Sequence, residues 1–256
     1  MTSRRNRMAR LAGGMSAVLA VLAGVVCTVS PAAVDASGDG PAQAGAPLRI
    51  MPLGDSITFG SGSRTKSSYR VDLYRRLVRA GMAVDFVGSV RSGPAGAGAD
   101  LDHEGHPGWR IGQIAERLDG WLAIYRPDVV LLHIGTNDMH TDARAAGAAD
   151  RLSALIGQIT AARPEAHVFV GRIVGAQDAP DHGAQQRRVN AFNAAVPGIV
   201  AARGPRVHLV DHSLVDEADL ADKLHPDDGG YAKMSALWCR ALLRVRPGAE
   251  PSPATS

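Results

Sequence analysis

The chain has 256 residues, 45% of them hydrophobic and 4% aromatic, enough for one sizeable core of mainly Val, Leu, Ile and Ala but not for two. Its formal charge of +3 is local: residues 1–36 hold four of the 28 basic side chains and one of the 25 acidic ones, leaving 24 of each. A near-neutral domain lacks the cationic face that phosphate backbones require, which excludes nucleic acid as its partner.

Residues 1–36 read as a secretory signal peptide. Arg4, Arg5, Arg7 and Arg10 precede an apolar stretch from Leu11 to Val29, then Ser30 and Pro31. Ala36 closes Val34-Asp35-Ala36 as a small residue at a cleavage position, and Ala42-Gln43-Ala44 is a second candidate. Three other readings stay open. Ser3-Arg4-Arg5 resembles a twin-arginine start, although Arg7 replaces the usual aromatic. Cys27 is a candidate for lipidation, although Val26 is large for that motif, and the apolar run is about long enough to remain as an anchor. The expectation is a secreted, monomeric protein whose mature form has no stable membrane span. Residues 37–47, rich in Gly, Ala and Pro, read as a flexible linker.

The domain is expected over 48–246. Leu48–Leu53 is a short apolar run without helical period, the mark of a buried strand, and Gly54 breaks it ahead of Asp55 and Ser56. Tyr69–Ala80 has apolar residues at helical spacing with arginines opposite, and Val84–Gly88 alternates as a second strand. Ser89–Gly108, with its His103-Glu104-Gly105-His106-Pro107-Gly108 run, reads as a long loop. Ile111–Tyr125 is helical, and Asp128–Ile134, with its continuous apolar run Val129–Leu132, reads as a strand covered on both faces. Helices are expected at Ala145–Ala162, Gln185–Ala202 and Asp228–Arg244, strands at Ala166–Val174 and Arg206–Val210, and irregular chain at His212–Leu224. Residues 247–256 read as a disordered tail. Strands and helices alternate about five times, predicting an α/β fold with a five-stranded parallel sheet between helices. Cys239 falls in an apolar helical pattern and reads as a buried structural thiol.

Ser56 stands just past the first strand, where open α/β sheets carry their chemistry. A serine hydroxyl needs a base, and the base needs an orienting group. Asp222 and His225, three positions apart on a loop before the last helix, could supply both, or could simply cap that helix. An oxyanion requires fixed donors. Asn137, in the Gly135-Thr136-Asn137-Asp138 turn after the central strand, offers a side-chain amide, and Gly108 and Ser56 offer backbone N–H groups. Gly105 and Gly88 are alternatives to Gly108. Asp55, Trp109 and Tyr69 are candidates for the substrate pocket, Trp109 and Tyr69 equally readable as packing residues. His103-x-x-His106 has metal-ligand spacing but sits in a glycine-rich loop with no cysteine nearby, and His133, inside a strand, reads as a hydrogen-bonded structural histidine. No metal and no cofactor are expected.

Gly54-Asp55-Ser56-Ile57-Thr58, a loop glycine after strand two, Gly135-Thr136-Asn137-Asp138 and Asp222-x-x-His225 occur in order at strand ends. Together they resemble the SGNH hydrolase superfamily, or GDSL esterases. The resemblance implies a flavodoxin-like three-layer α/β/α sandwich with Ser56 as nucleophile and His225 as base, oriented by Asp222. It implies an oxyanion hole of Ser56, Gly108 and Asn137. Thr58 departs from the Gly-x-Ser-x-Gly elbow, which separates the chain from α/β-hydrolases. Tyr69-Arg70, His103–Trp109 and the Leu224-His225-Pro226-Asp227-Asp228 ending are similar to secreted bacterial members of carbohydrate esterase family 3. That implies a short-chain or acetyl esterase, with a small-molecule or polysaccharide ester as substrate. The alternatives are a lipase, phospholipase or thioesterase for longer acyl chains and, in another class, a non-catalytic carbohydrate- or surface-binding protein.

Overall fold

A computed structural model describes residues 46–176 and 183–247. The expected signal peptide, most of the expected linker and nearly all of the expected tail lie outside the described residues.

The first strand, β1 (Leu48–Gly54), is the middle of the sheet. On one side it pairs in parallel with β5 (Val129–His133), which pairs with β6 (His167–Gly171), which pairs with β7 (Val207–Val210). On the other side two strands share its edge. β2 (Val84–Phe86) runs along Leu48–Ile50, and β4 (Asp102–Gly105) along Leu53 and Gly54. The order β2-β1-β5-β6-β7 is the flavodoxin order, and the loops after β1 and β5 leave the sheet side by side.

Helices cover both faces. The short α1 (Ser56–Phe59), α2 (Arg70–Arg79) and α7 (Asp228–Val245) meet one face; α3 (Ile111–Tyr125), α5 (Ala148–Ala162) and α6 (Ala184–Ala201) meet the other. The period of two along each strand divides the core. In β5, Val130 and Leu132 pack with Ile114, Leu118 and Ile156, while Val129 and Leu131 pack with Leu73, Met234 and Trp238. Every residue of β5 is buried. At about 1.5–3 kcal/mol for each fully buried aliphatic side chain, Val129, Val130, Leu131 and Leu132 together contribute several kcal/mol.

The sheet has seven strands rather than five parallel ones. The additions come from the segment expected to be a loop: β3 (Val90–Arg91) lies antiparallel to β4, which extends the edge of β1. β4 carries no apolar alternation because its side chains are buried through hydrogen bonds. His103 and Glu104 are both wholly inaccessible, His103 bonded to Ser92 Oγ (2.8 Å) and Glu104 to Ser89. The helix expected at Ala145–Ala162 is split into α4 (Asp142–Ala145) and α5 by Ala146 and Gly147, and the strand expected to reach Val174 stops at Gly171. Cys239 is buried and free. No helix among the described residues is long and apolar enough to cross a membrane.

Candidate active site

Three strand ends and one returning loop meet at the carboxyl edge of the sheet. The chain leaves β1 through Gly54 and turns at once into α1, with Asp55 as its N-cap: Asp55 Oδ1 accepts from Ile57 N–H at 3.0 Å. Ser56 is therefore held at the first helical position, 5% exposed. Arg70 fastens the far end of α1. Its guanidinium, fully buried, donates to the carbonyls of Thr58 (2.8 Å), Phe59 (3.1 Å) and Lys66 (3.1 Å) and, across the loop, to those of Leu101 (3.1 Å) and Ser92 (2.9 Å). Burial lowers its pKa to about 10, with Tyr69, Tyr231 and Asp102 pulling it back up.

The loop ahead of α7 brings Asp222 and His225 to Ser56. Asp222 Oδ1 accepts the backbone N–H groups of Leu224 and His225, both at 2.8 Å, which closes a tight turn. The turn puts Asp222 Oδ2 2.8 Å from His225 Nδ1, and His225 Nε2 lies 3.0 Å from Ser56 Oγ. A hydroxyl at that distance from an imidazole nitrogen can pass it a proton, while a carboxylate on the other nitrogen fixes the tautomer. Partial burial raises the Asp222 pKa, but the bonds from the His225 ring and from the backbone of His225 and Leu224 outweigh it and hold the carboxyl below its usual range. Neither residue caps the last helix. Asp227 does, accepting from Gly230 N–H at 2.8 Å.

The donors expected for an oxyanion converge from β4 and β5. After β4, His106–Trp109 forms a turn closed by Trp109 N–H to His106 O (3.1 Å), with Pro107 second and Gly108 third at φ +81°, the type II pattern that favours glycine. One end of this turn is tied to β1 by His106 N–H to Gly54 O (3.0 Å). The other is tied to the turn after β5 by Asn137 Nδ2 to Trp109 O (2.9 Å). Gly108 is exposed and its surroundings are open, whereas Gly105 is buried against α1, where a Cβ would lie 2.6 Å from Phe59 N. Among the described residues the N–H groups of Ser56 and Gly108 have no acceptor.

The other expected residues divide. Trp109 stays at the site, half-buried, its ring stacked on His106 (centroids 4.3 Å apart). Tyr69 does not face a pocket: it is wholly buried beneath α1, its hydroxyl 3.2 Å from Thr58 Oγ1 and its ring 5.8 Å from that of Trp238. Asp55 is also wholly buried. Its pKa is raised to about 6, by burial above all, against the Ile57 N–H, His225 and Thr136, with Asp138 adding to the rise. The Thr136 hydroxyl lies near, yet neither Thr136 Oγ1 nor Asp55 Oδ2 meets hydrogen-bond geometry with a described residue. His133 is buried as expected, but neither ring nitrogen has a partner among the described residues, and burial lowers its pKa to about 4. His103 is bonded through both nitrogens, to Ser92 Oγ and Gly105 N–H, which leaves none for a metal. No group of three or more His, Cys, Asp or Glu among the described residues is arranged to hold a metal ion.

Sequence reasoning missed Arg70, Glu104 and Asp138 as parts of the site's frame. Asp138, 1% exposed, accepts from Ile111 N–H (3.1 Å) at the start of α3 and from Arg151 (3.1 Å), which fixes the turn carrying Asn137. Its place directly after Asn137 was the available signal.

Residues 53–233 match the GDSL-like lipase/acylhydrolase family, from the end of β1 to the start of α7 and through every residue of the Ser56 site. The chain belongs to this family. Its described domain is therefore that of an ester hydrolase. A family 3 carbohydrate esterase from Clostridium thermocellum is similar in structure, at 38% identity and TM-score 0.69, over 79% of this chain and all of that one. A mutant acetyl esterase solved with an acetate ion is similar at 27% identity and TM-score 0.66, over 77% of this chain and 97% of its own. A multidomain esterase of Ruminococcus flavefaciens is 30% identical over 220 residues, 76% of this chain but 28% of that protein's length.

Proposed function

We propose that the chain is a secreted serine esterase that hydrolyses short-chain esters, chiefly acetyl esters and among them those of polysaccharides, through an acyl-enzyme. The observation that carries this reading is the unbroken line from Asp222 Oδ2 through the His225 ring to Ser56 Oγ, with steps of 2.8 and 3.0 Å.

In this reading Ser56 Oγ attacks the ester carbonyl carbon as its proton passes to His225 Nε2, while Asp222 holds the imidazolium through Nδ1–H. The oxyanion is met by the N–H groups of Ser56 and Gly108 and by the Asn137 amide. Collapse breaks the C–O bond to the alcohol, which leaves with the proton from His225. Water, activated by the same imidazole, then attacks the acyl-serine and releases the acid. The preference for acetyl groups rests on the likeness to the carbohydrate esterase and the acetyl esterase. Export rests on the Arg-rich, apolar start of the chain and is checked by finding the cleaved protein in the culture medium.

The test is hydrolysis of p-nitrophenyl esters from acetate to palmitate, with acetylated xylan alongside, by the wild type and Ser56→Ala. A rate highest on acetate and lost in Ser56→Ala is expected. A maximum at long chains would transfer the reading to a lipase, and equal rates in wild type and variant would reject Ser56 as nucleophile. A folded wild type that neither hydrolyses any ester nor reacts with a fluorophosphonate would favour the binding-protein alternative.

A further inference from the structure

We infer that Glu104 and His106 are positioning residues for the oxyanion hole. Glu104, buried, and His106, half-buried, form a brace that sets the height of the Gly108 turn above Ser56. The inference rests on the serine-esterase reading above.

Glu104 is a carboxylate in a place where carboxylates are rare. It lies next to last in β4 with no accessible surface, yet its partner is not a lysine or arginine. Three donors meet it: Ser89 N–H at Oε1 (2.5 Å), and Ser89 Oγ (3.0 Å) and His106 Nε2 (2.8 Å) at Oε2. A carboxylate taken out of water costs several kcal/mol unless hydrogen bonds meet it, so the arrangement persists only if the donors hold fixed positions. Two of the three belong to the turn between β2 and β3. The third is the ring of His106, the first residue of the turn that presents Gly108.

His106 is held through both its backbone and its ring. Its backbone N–H is bonded to Gly54 O, two residues before Ser56, and its backbone O receives Trp109 N–H. Its ring stacks on Trp109 (4.3 Å, 21°) and lies parallel to Trp121 (4.9 Å, 6°), and its edge is fastened to Glu104. Trp109 O in turn accepts from Asn137. The side chains of Glu104 and His106 thus anchor a four-residue turn whose third residue and whose carbonyl partner are two of the three expected oxyanion donors. A turn with glycine at its third position is otherwise compliant, because the space beside Gly108 is open: a Cβ there would meet nothing within 4 Å. Rigidity must come from the anchors, and a displacement of about 1 Å at a transition-state donor can cost on the order of 10²-fold in rate.

The experiment measures kcat and KM for p-nitrophenyl acetate well below the unfolding temperature in Glu104→Ala, Glu104→Gln, His106→Leu, His106→Gln and Ser56→Ala. His106→Leu keeps an apolar body against the two tryptophans and removes the donor to Glu104; His106→Gln restores a donor, and Glu104→Gln restores an acceptor. The expected result is a fall in kcat of about 10- to 100-fold in the Ala and Leu variants with KM within about twofold, most of it recovered in the Gln variants. In an Asn137→Ala background, His106→Leu should cost much less than it does alone, because both act on the same hole. If His106→Leu folds and keeps the wild-type kcat, or if the two losses simply multiply, the inference falls even when Ser56→Ala is inactive. If Ser56→Ala is as active as wild type, it is the serine-esterase reading that fails.

Discussion

Gly62 backs directly onto His225. Its backbone has φ +87°, and a Cβ there would lie 2.8 Å from His225 Cβ and 2.4 Å from Pro226 O. The 60–63 loop is also tied to α7, where Tyr231 Oη donates to Ser61 O at 2.5 Å. The base loop and the serine loop therefore share a wall that has room for no side chain. Gly62→Ala should cost about 1–2 kcal/mol of stability from the left-handed backbone alone. It should also push His225 off Ser56, lowering kcat on the order of 10²-fold. Steady-state kinetics beside a thermal melt separate the two effects, and an unchanged kcat would show that His225 does not depend on this wall.

Asn137 makes a prediction of its own. If its amide stabilises the oxyanion, Asn137→Ala should lower kcat by roughly 10²–10³-fold, with KM little changed. Part of that loss comes through Trp109, whose carbonyl accepts the same amide. A rise in KM at constant kcat would instead make Asn137 a ground-state contact.

Asp55 should give the fold a distinctive pH dependence. Its carboxyl pKa is raised from 3.8 to about 6, chiefly by burial. The folded state thus prefers the protonated acid, so this contribution to stability is complete below pH 4 and is lost as pH rises through about 6. At pH 8 the buried charge costs on the order of 3 kcal/mol. Asp55→Asn keeps an oxygen for Ile57 N–H and cannot ionise. Its melting temperature relative to wild type should climb between pH 4 and pH 8, and a difference that stays flat would contradict the account.

Arg70 ties the serine helix, through the carbonyls of Thr58 and Phe59, to those of Lys66, Leu101 and Ser92, and bonds to no carboxylate. Replacing it with Ala strands several of those carbonyls without donors and should cost about 3–5 kcal/mol, read from urea denaturation. Arg70→Lys reaches fewer of them and should fall between. If both variants keep wild-type stability, the guanidinium is not the fastener of α1.

The sheet was legible where side chains follow the simple rule of apolar burial. Val129–Leu132 announced a central strand, and Leu48–Leu53 the one beside it. It was illegible where burial is achieved by hydrogen bonds. Asp102-His103-Glu104-Gly105 looks like a polar loop and is in fact a strand, since His103 and Glu104 bring their partners with them. Arg70 departs in the same way: the helical spacing of Tyr69–Ala80 sets its arginines opposite the apolar face, yet Arg70, in the first turn of α2, is wholly buried against α1. Tyr69 beside it went the same direction, into the core. At the site, the three-residue interval between Asp222 and His225 made their contact foreseeable, because one carboxylate can close such a turn and reach the ring. The distance from that ring to Ser56 spans 169 residues of chain and is a property of the fold alone.

The central claim is that Ser56 carries the acyl group. It is tested most directly by mixing the protein with p-nitrophenyl acetate, quenching in acid within the first turnovers, and mapping the added mass by peptide digestion. The account predicts one acetyl group on the peptide containing Ser56, absent from Ser56→Ala and accumulating in a variant slowed at deacylation. Product release with no acetylated Ser56 peptide, or acetyl found on another side chain, would contradict it.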